Sequence, residues 1–88
     1  MKRIHVEWNV YIVRCADDTF YTGICLDIER RIYEHNHDDT LGARYTRSRR
    51  PVILIHSEKS ASRSEAAKRE REIKSLSRIE KQALIRTV

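Results

Sequence analysis

The stretch from Val10 to His35, VYIVRCADDTFYTGICLDIERRIYEH, most constrains what this chain can fold into. Val10-Tyr11-Ile12-Val13 is β-branched and aromatic, the residue types that suit a pleated, half-buried strand. Ala16-Asp17-Asp18-Thr19 follows, and its aspartates can bond the local backbone and reverse the chain. Phe20-Tyr21-Thr22-Gly23-Ile24 reads as a second strand, so the pair predicts an antiparallel hairpin. Asp27 is placed to N-cap a helix running to about Asn36, with Leu26, Ile28 and Ile32 on its apolar side. Arg31 is three residues after Ile28, and His35 three after Ile32. Both therefore lie beside the buried stripe, where an arginine must snorkel out or line a cleft.

The rest of the chain reads as support for this unit. Residues 37–50, HDDTLGARYTRSRR, form a polar and basic loop. Pro51 is expected to open a third strand, Val52 to His56, whose continuous apolar run predicts the best-covered strand of the sheet. Ser62-Arg63-Ser64-Glu65 is a capping box that starts a second helix with apolar positions Ala66, Ala67, Ile73 and Leu76. Ser77-Arg78-Ile79-Glu80 is another, so a last helix covers about 78–86. Residues 1–8 are expected to be a flexible lead-in and 9–88 a single domain. The expected class is α+β: a three-stranded, mainly antiparallel sheet built from a hairpin, a helix, a third strand and two C-terminal helices.

A chain of 88 residues has room for one small domain. No apolar run reaches the length of a membrane span, and MKRIHVEW lacks the apolar region of a secretory signal, so the expected location is cytoplasmic. Cys15 and Cys25 read as small buried strand residues, and no CxxC or HxxxH spacing suggests zinc. The net charge of +5 favours a polyanionic partner, most commonly nucleic acid.

Glu70 falls on the stripe of Ala67 and Ile73, and a carboxylate there is costly unless paired or metal-bound. On spacing alone, an ion pair to Arg31 or another arginine is the readier explanation. The two tyrosines read equally as half-buried strand residues, and the arginine loop as solvated surface.

The order of the groups resembles the GIY-YIG nuclease superfamily. Val10-Tyr11-Ile12 stands where that family has its first triplet and Tyr21-Thr22-Gly23 where it has its second. LDIERRIYEHN and a distant helical E-x-x-I-K follow in the same order. The turn from Arg14 to Asp18, the loop from Gly42 to Val52 and the segment Ile73 to Lys81 are similar to the small stand-alone bacterial branch. The first triplet lacks its glycine, Ile24 stands where some members carry a basic residue, and Arg44 where others carry histidine.

The resemblance implies a metal-dependent endonuclease acting on DNA, in repair, recombination or processing. It implies that Tyr11, Tyr21, Arg31, His35 and Glu70 form the catalytic set. One tyrosine serves as general base and the other positions the water or a phosphate oxygen. Arg31 supports charge on the scissile phosphate. Glu70 holds one divalent cation, Mg²⁺ or Mn²⁺, and Gly23 allows close backbone approach. The five groups are expected in one cleft on the sheet face. A four-residue turn at 16–19 would put the two tyrosines on opposite faces, so a shared site requires an odd loop or a β-bulge.

Arg44, Tyr45, Arg47, Arg49 and Arg50 are the candidate DNA contacts, through phosphates and stacking. A domain this small offers little surface for sequence readout, which favours single-stranded or flexible DNA. The alternative is a nucleic-acid-binding module with weak or no catalysis. A third reading is a protein-interaction domain. No protein partner is indicated by the sequence.

Overall fold

The computed structural model describes residues 7–86. Strand β1 spans Trp8–Arg14 and β2 spans Phe20–Cys25; α1 follows at Ile28–His37, then the single turn α2 at Arg44–Arg47. Strand β3 covers Ile53–Ser60, α3 Arg63–Lys74 and α4 Arg78–Arg86. The sheet is antiparallel throughout, in the order β2-β1-β3.

Because strand side chains alternate, the sheet has two buried faces. Tyr11, Val13, Cys15, Cys25 and Val52 form one core, covered by Ile28 and Ile32 of α1. Val10, Ile12, Ala66 and Ile73 form the other, joined by Leu84 and Ile85 of α4. The protein is thus three layers, with α1 on one face and α3 and α4 on the other.

The hairpin settles how the tyrosines share a face. Arg14 pairs with Phe20, Val13 with Tyr21 and Tyr11 with Gly23. Cys15 N–H donates to Thr19 O at 2.8 Å and Asp18 N–H to Cys15 O at 2.9 Å. Asp18 has φ 70, the left-handed residue that ends a three-residue hairpin loop. The loop is odd, and Tyr11 and Tyr21 therefore point the same way.

The caps behave as the sequence predicts. Asp27 accepts from Arg30 N–H, and Ser62 from Glu65 N–H. Ser77 and Glu80 cap α4 reciprocally, at 2.9 and 3.2 Å.

Three expectations are corrected. The best-covered strand is β1, central and buried through Asn9–Val13, whereas β3 is an edge with Ile53 53% exposed. An unbroken apolar run marks hydrophobicity, but position in the sheet decides coverage. Pro51 also precedes β3 without opening it, since the strand begins at Ile53. Trp8, expected in the lead-in, pairs with Ser60 in β1 and packs on the second core. The remainder of that lead-in, 1–6, lies outside the described residues. The basic loop contains the turn α2.

Candidate active site

Tyr11 and Tyr21 project from β1 and β2 onto α1, where His35 lies fully buried at the last turn. Tyr11 and His35 are 2.7 Å apart, Oη to Nε2. His35 Nδ1 is 3.0 Å from Thr46 Oγ1, and Thr46 donates its hydroxyl to Ala43 O at 3.0 Å. Ala43 N–H also points at Nδ1, at 3.5 Å. In either tautomer one ring nitrogen bonds the Tyr11 hydroxyl and the other bonds Thr46. Burial, then the charge of Arg31, push the His35 pKa down to about 4. The imidazole is therefore neutral at pH 7. Burial also pushes the Tyr11 phenol well above its ordinary value, and Arg31 beside it offsets only part. Tyr11 is 1% exposed, so its hydroxyl is fixed internally against His35.

Gly23 is what lets Tyr11 reach this position. A Cβ on Gly23 would lie 2.5 Å from Tyr11 Oη.

Tyr21 is half-buried, on the same face. Its ring meets His35 edge-on at 5.4 Å and stacks with Tyr45 at 5.8 Å. Arg31 sits on α1 with its side chain 26% exposed, bonded to Glu34 at 2.9 Å and to Leu41 O at 2.7 Å. Burial disfavours the Arg31 charge, but Glu34 and Tyr11 outweigh it and raise the pKa. Beside it opens a cleft of about 210 Å³ lined by Arg30 and Arg31, the carboxylates Asp27 and Glu34, and Cys25 and Leu26. A guanidinium at a cleft can hold a phosphate through paired N–H bonds.

Glu70 stands apart from this group. It rises from α3, which covers the opposite face, and its ion-pair partner is Lys74 at 3.6 Å. Among the described residues it shares no hydrogen bond or ion pair with Tyr11, Tyr21, Arg31 or His35. The anticipated pairing of Glu70 with Arg31 or another arginine is replaced by one with Lys74, while Arg31 pairs with Glu34.

The described residues contain no group of three or more His, Cys, Asp or Glu able to hold a metal. Mg²⁺ needs none, because it keeps several waters and binds through one or two carboxylates plus substrate phosphate. Glu70, with its side chain 21% exposed and a long pair to a half-exposed lysine, fits that demand as a single carboxylate.

The basic loop divides. Arg50 donates to His35 O at 2.6 Å and Asp38 O at 3.0 Å, so it closes the end of α1. Arg49 lies over the Tyr45 ring at 3.9 Å and pairs with Asp17 at 3.0 Å. Arg47 donates to Asp39 O. Arg44 is exposed on α2 with no hydrogen bond or ion pair among the described residues.

Sequence reasoning missed Thr46 and Asn36. Thr46 is fully buried and orients His35. Asn36 bonds Val52 N–H at 2.7 Å and Val52 O at 3.1 Å, tying α1 to the approach to β3. Both are small polar residues in polar runs, and only the tertiary contact distinguishes them from solvated neighbours.

The buried neutral histidine predicts a pH dependence. Between pH 6.5 and 4 the unfolded imidazole binds a proton that the folded one refuses. The stabilisation is present above 6.5 and is lost as pH falls toward 4, by roughly 3 kcal/mol in all. Urea melts across this range measure it, and the His35→Gln protein should lose most of the slope.

A small α+β domain that gathers two tyrosines, an arginine and a neutral histidine between a β-hairpin and its first helix belongs among the nuclease-like folds. The model of the GIY-YIG catalytic domain matches residues 7–83, and the chain belongs to that family. It is 58% identical over 79 residues to a UPF0213 protein of Desulfotalea psychrophila, covering 90% of this chain and 71% of that one. A UPF0213 protein of Halobacterium salinarum is 53% identical over 76 residues, covering 86% and 96%. A solution structure of an E. faecalis protein matches with TM-score 0.61 and 42% identity, over 99% of this chain and 90% of the other. That of a UPF0213 protein from Bacillus halodurans matches with TM-score 0.57 and 40% identity, over 90% and 82%.

Proposed function

We propose that this protein is a divalent-cation-dependent endonuclease that hydrolyses phosphodiester bonds in DNA, in repair, recombination or processing in the cytoplasm. The observation that supports it most is Arg31, which lines a cleft and lies beside Tyr11 in a chain that matches the family's catalytic domain over 7–83. In hydrolysis the oxygen of water bonds to phosphorus as one ester bond breaks, and the leaving oxygen gains a proton. Arg31 binds the phosphate and stabilises the negative charge that builds on it. Tyr21 is the accessible phenol, so it orients the attacking water and handles its proton. Tyr11 and His35 do not touch the water in this reading. Their buried chain with Thr46 holds α1 at a fixed distance from the hairpin, and with it Arg31. Glu70 would hold Mg²⁺ or Mn²⁺, which when bound neutralises charge on the phosphate and leaving oxygen.

The test is cleavage of plasmid, single-stranded and branched DNA with and without Mg²⁺ or Mn²⁺. Metal-dependent cleavage that Tyr21→Phe and Arg31→Gln each reduce at least a hundredfold supports the assignment. Cleavage unaffected by either change refutes it.

The separation of Glu70 from the tyrosines favours one alternative: a nucleic-acid-binding module with weak or no catalysis. Either way, the exposed arginines of α2 should bear the phosphate contacts. Arg44→Ala and Arg47→Ala should each lower the slope of log affinity against log salt by about one unit. Arg50→Ala should instead cost stability, about 1–3 kcal/mol, because it takes the Arg50 donor from His35 O, while Asp38 O keeps Gly42 N–H. DNA titrations at several salt concentrations, beside thermal melts, separate the two effects.

A further inference from the structure

On the α4 side of the sheet, away from Tyr21 and His35, the hairpin tip and α4 enclose a cleft of about 320 Å³. That is the size of a small-ligand site. Its floor is apolar, from Phe20, Ile55 and Ile85, and its rim carries Arg14, Arg78 and Arg86. One carboxylate, Asp18, also lines it and faces the guanidiniums of Arg14 and Arg78.

Asp18 is held in an unusual way. Its φ of 70 is a left-handed conformation that few non-glycine residues adopt. There its carboxylate lies 3.9 Å from Arg14 Nε and 3.8 Å from Arg78 NH2, beyond hydrogen-bond length on both sides. Both arginines are about half exposed, at 48% and 49%, so these pairs are weak. Arg78 is positioned by other contacts: it donates to Asp18 O at 2.9 Å and lies 4.5 Å from the Phe20 ring centre. The cleft is therefore a preformed set of guanidinium forks loosely neutralised by one internal anion.

We propose that this cleft binds a nucleoside phosphate. The phosphate displaces the Asp18 carboxylate and takes paired N–H bonds from Arg14 and Arg78, which a planar guanidinium makes well with phosphate oxygens. The base lies on the apolar floor, and the Gln82 amide offers a donor and an acceptor to its edge. The nucleotide is either free or part of a nucleic-acid strand. Binding here does not depend on cleavage at the other face, so the two readings fail separately.

The experiment is amide NMR titration of the full chain with dAMP, inorganic phosphate, deoxyadenosine and a 5′-phosphorylated trinucleotide. We expect dAMP to shift Asp18, Phe20 and Gln82 without shifting α1. Inorganic phosphate should act more weakly at the same residues, and deoxyadenosine should not act at the same concentration. Asp18→Asn keeps a residue tolerant of the left-handed region and removes the competing charge. It should tighten dAMP about two- to fivefold. Arg14→Gln with Arg78→Gln should weaken it at least about tenfold. A trinucleotide that binds tighter than dAMP assigns the site to a strand, and equal affinity assigns it to the free nucleotide. The proposal is overturned if dAMP shifts nothing or shifts only α1, or if Asp18→Asn binds no more tightly than the wild type.

Discussion

Glu70→Gln should lose metal-dependent cleavage by orders of magnitude while melting within a few degrees of the wild type. The expected stability follows from the surroundings of Glu70. Its partner is Lys74, on the same helix at 3.6 Å, with a side chain 53% exposed. An exposed pair of this kind contributes about 0–1 kcal/mol, so losing it barely moves the melting temperature. A glutamate in a buried pair with Arg31 would behave otherwise, because breaking such a pair costs roughly 3–5 kcal/mol. The loss of cleavage follows from charge. Glutamine keeps the shape of the side chain but offers a hard cation only a neutral carbonyl. Metal-free DNA binding should persist or tighten, since one negative charge near the polyanion is gone. Mn²⁺ supplies a readout that needs no turnover. It should broaden NMR signals around Glu70 in the wild type and spare them in the variant. A wild type that neither cleaves with metal nor shows this broadening would leave the binding-module reading in possession.

The parts of the molecule legible in the sequence are those fixed by local chemistry. Asp27, Ser62 and Ser77 cap helices because a short polar side chain before an amphipathic stretch has little else to bond. The hairpin was legible in its strands but not in its register. The difference between a four-residue turn and a three-residue loop closed by a left-handed Asp18 is one residue, and one residue decides which face Tyr21 occupies. The coverage of β3 is not legible in its composition because sheet order is a long-range property: Ile53 and Leu54 remain exposed on a strand whose composition looks central. The site divides along the same line. Arg31 and His35 could be placed beside the apolar stripe of α1 from spacing alone. Thr46, Asn36 and the closing role of Arg50 could not, since each acts on a group distant in sequence. The face on which Glu70 sits depends on how α3 crosses the sheet, and the helical period of α3 carries no information about that.

Gly23→Ala should be the most damaging small substitution on the tyrosine face. Gly23 does not have a positive φ, so backbone freedom is not what it supplies. It supplies space. An added Cβ would sit 2.5 Å from Tyr11 Oη and 2.7 Å from Tyr11 Cζ, closer than any unbonded pair tolerates. Tyr11 cannot swing away cheaply, since it is 1% exposed and its hydroxyl is committed to His35 Nε2 at 2.7 Å. Either the ring shifts within a filled core or the bond to His35 breaks and leaves a buried nitrogen unpaired. Together these cost on the order of 3 kcal/mol, or more than about 10 °C in melting temperature for a domain of this size. Cleavage should fall with it, because the Tyr11–His35–Thr46 chain links α1, and hence Arg31, to the hairpin. Tyr11→Phe separates the two contributions. Alone it leaves His35 Nε2 without its partner and costs about 1–3 kcal/mol. Combined with Gly23→Ala it removes the atom nearest the new methyl, so the double variant should be more stable than the sum of the single losses predicts. Thermal melts of the four proteins give this coupling directly. Additive losses would mean that Gly23 and the Tyr11 hydroxyl do not constrain one another, and that the glycine serves some need other than the approach of Tyr11 to His35.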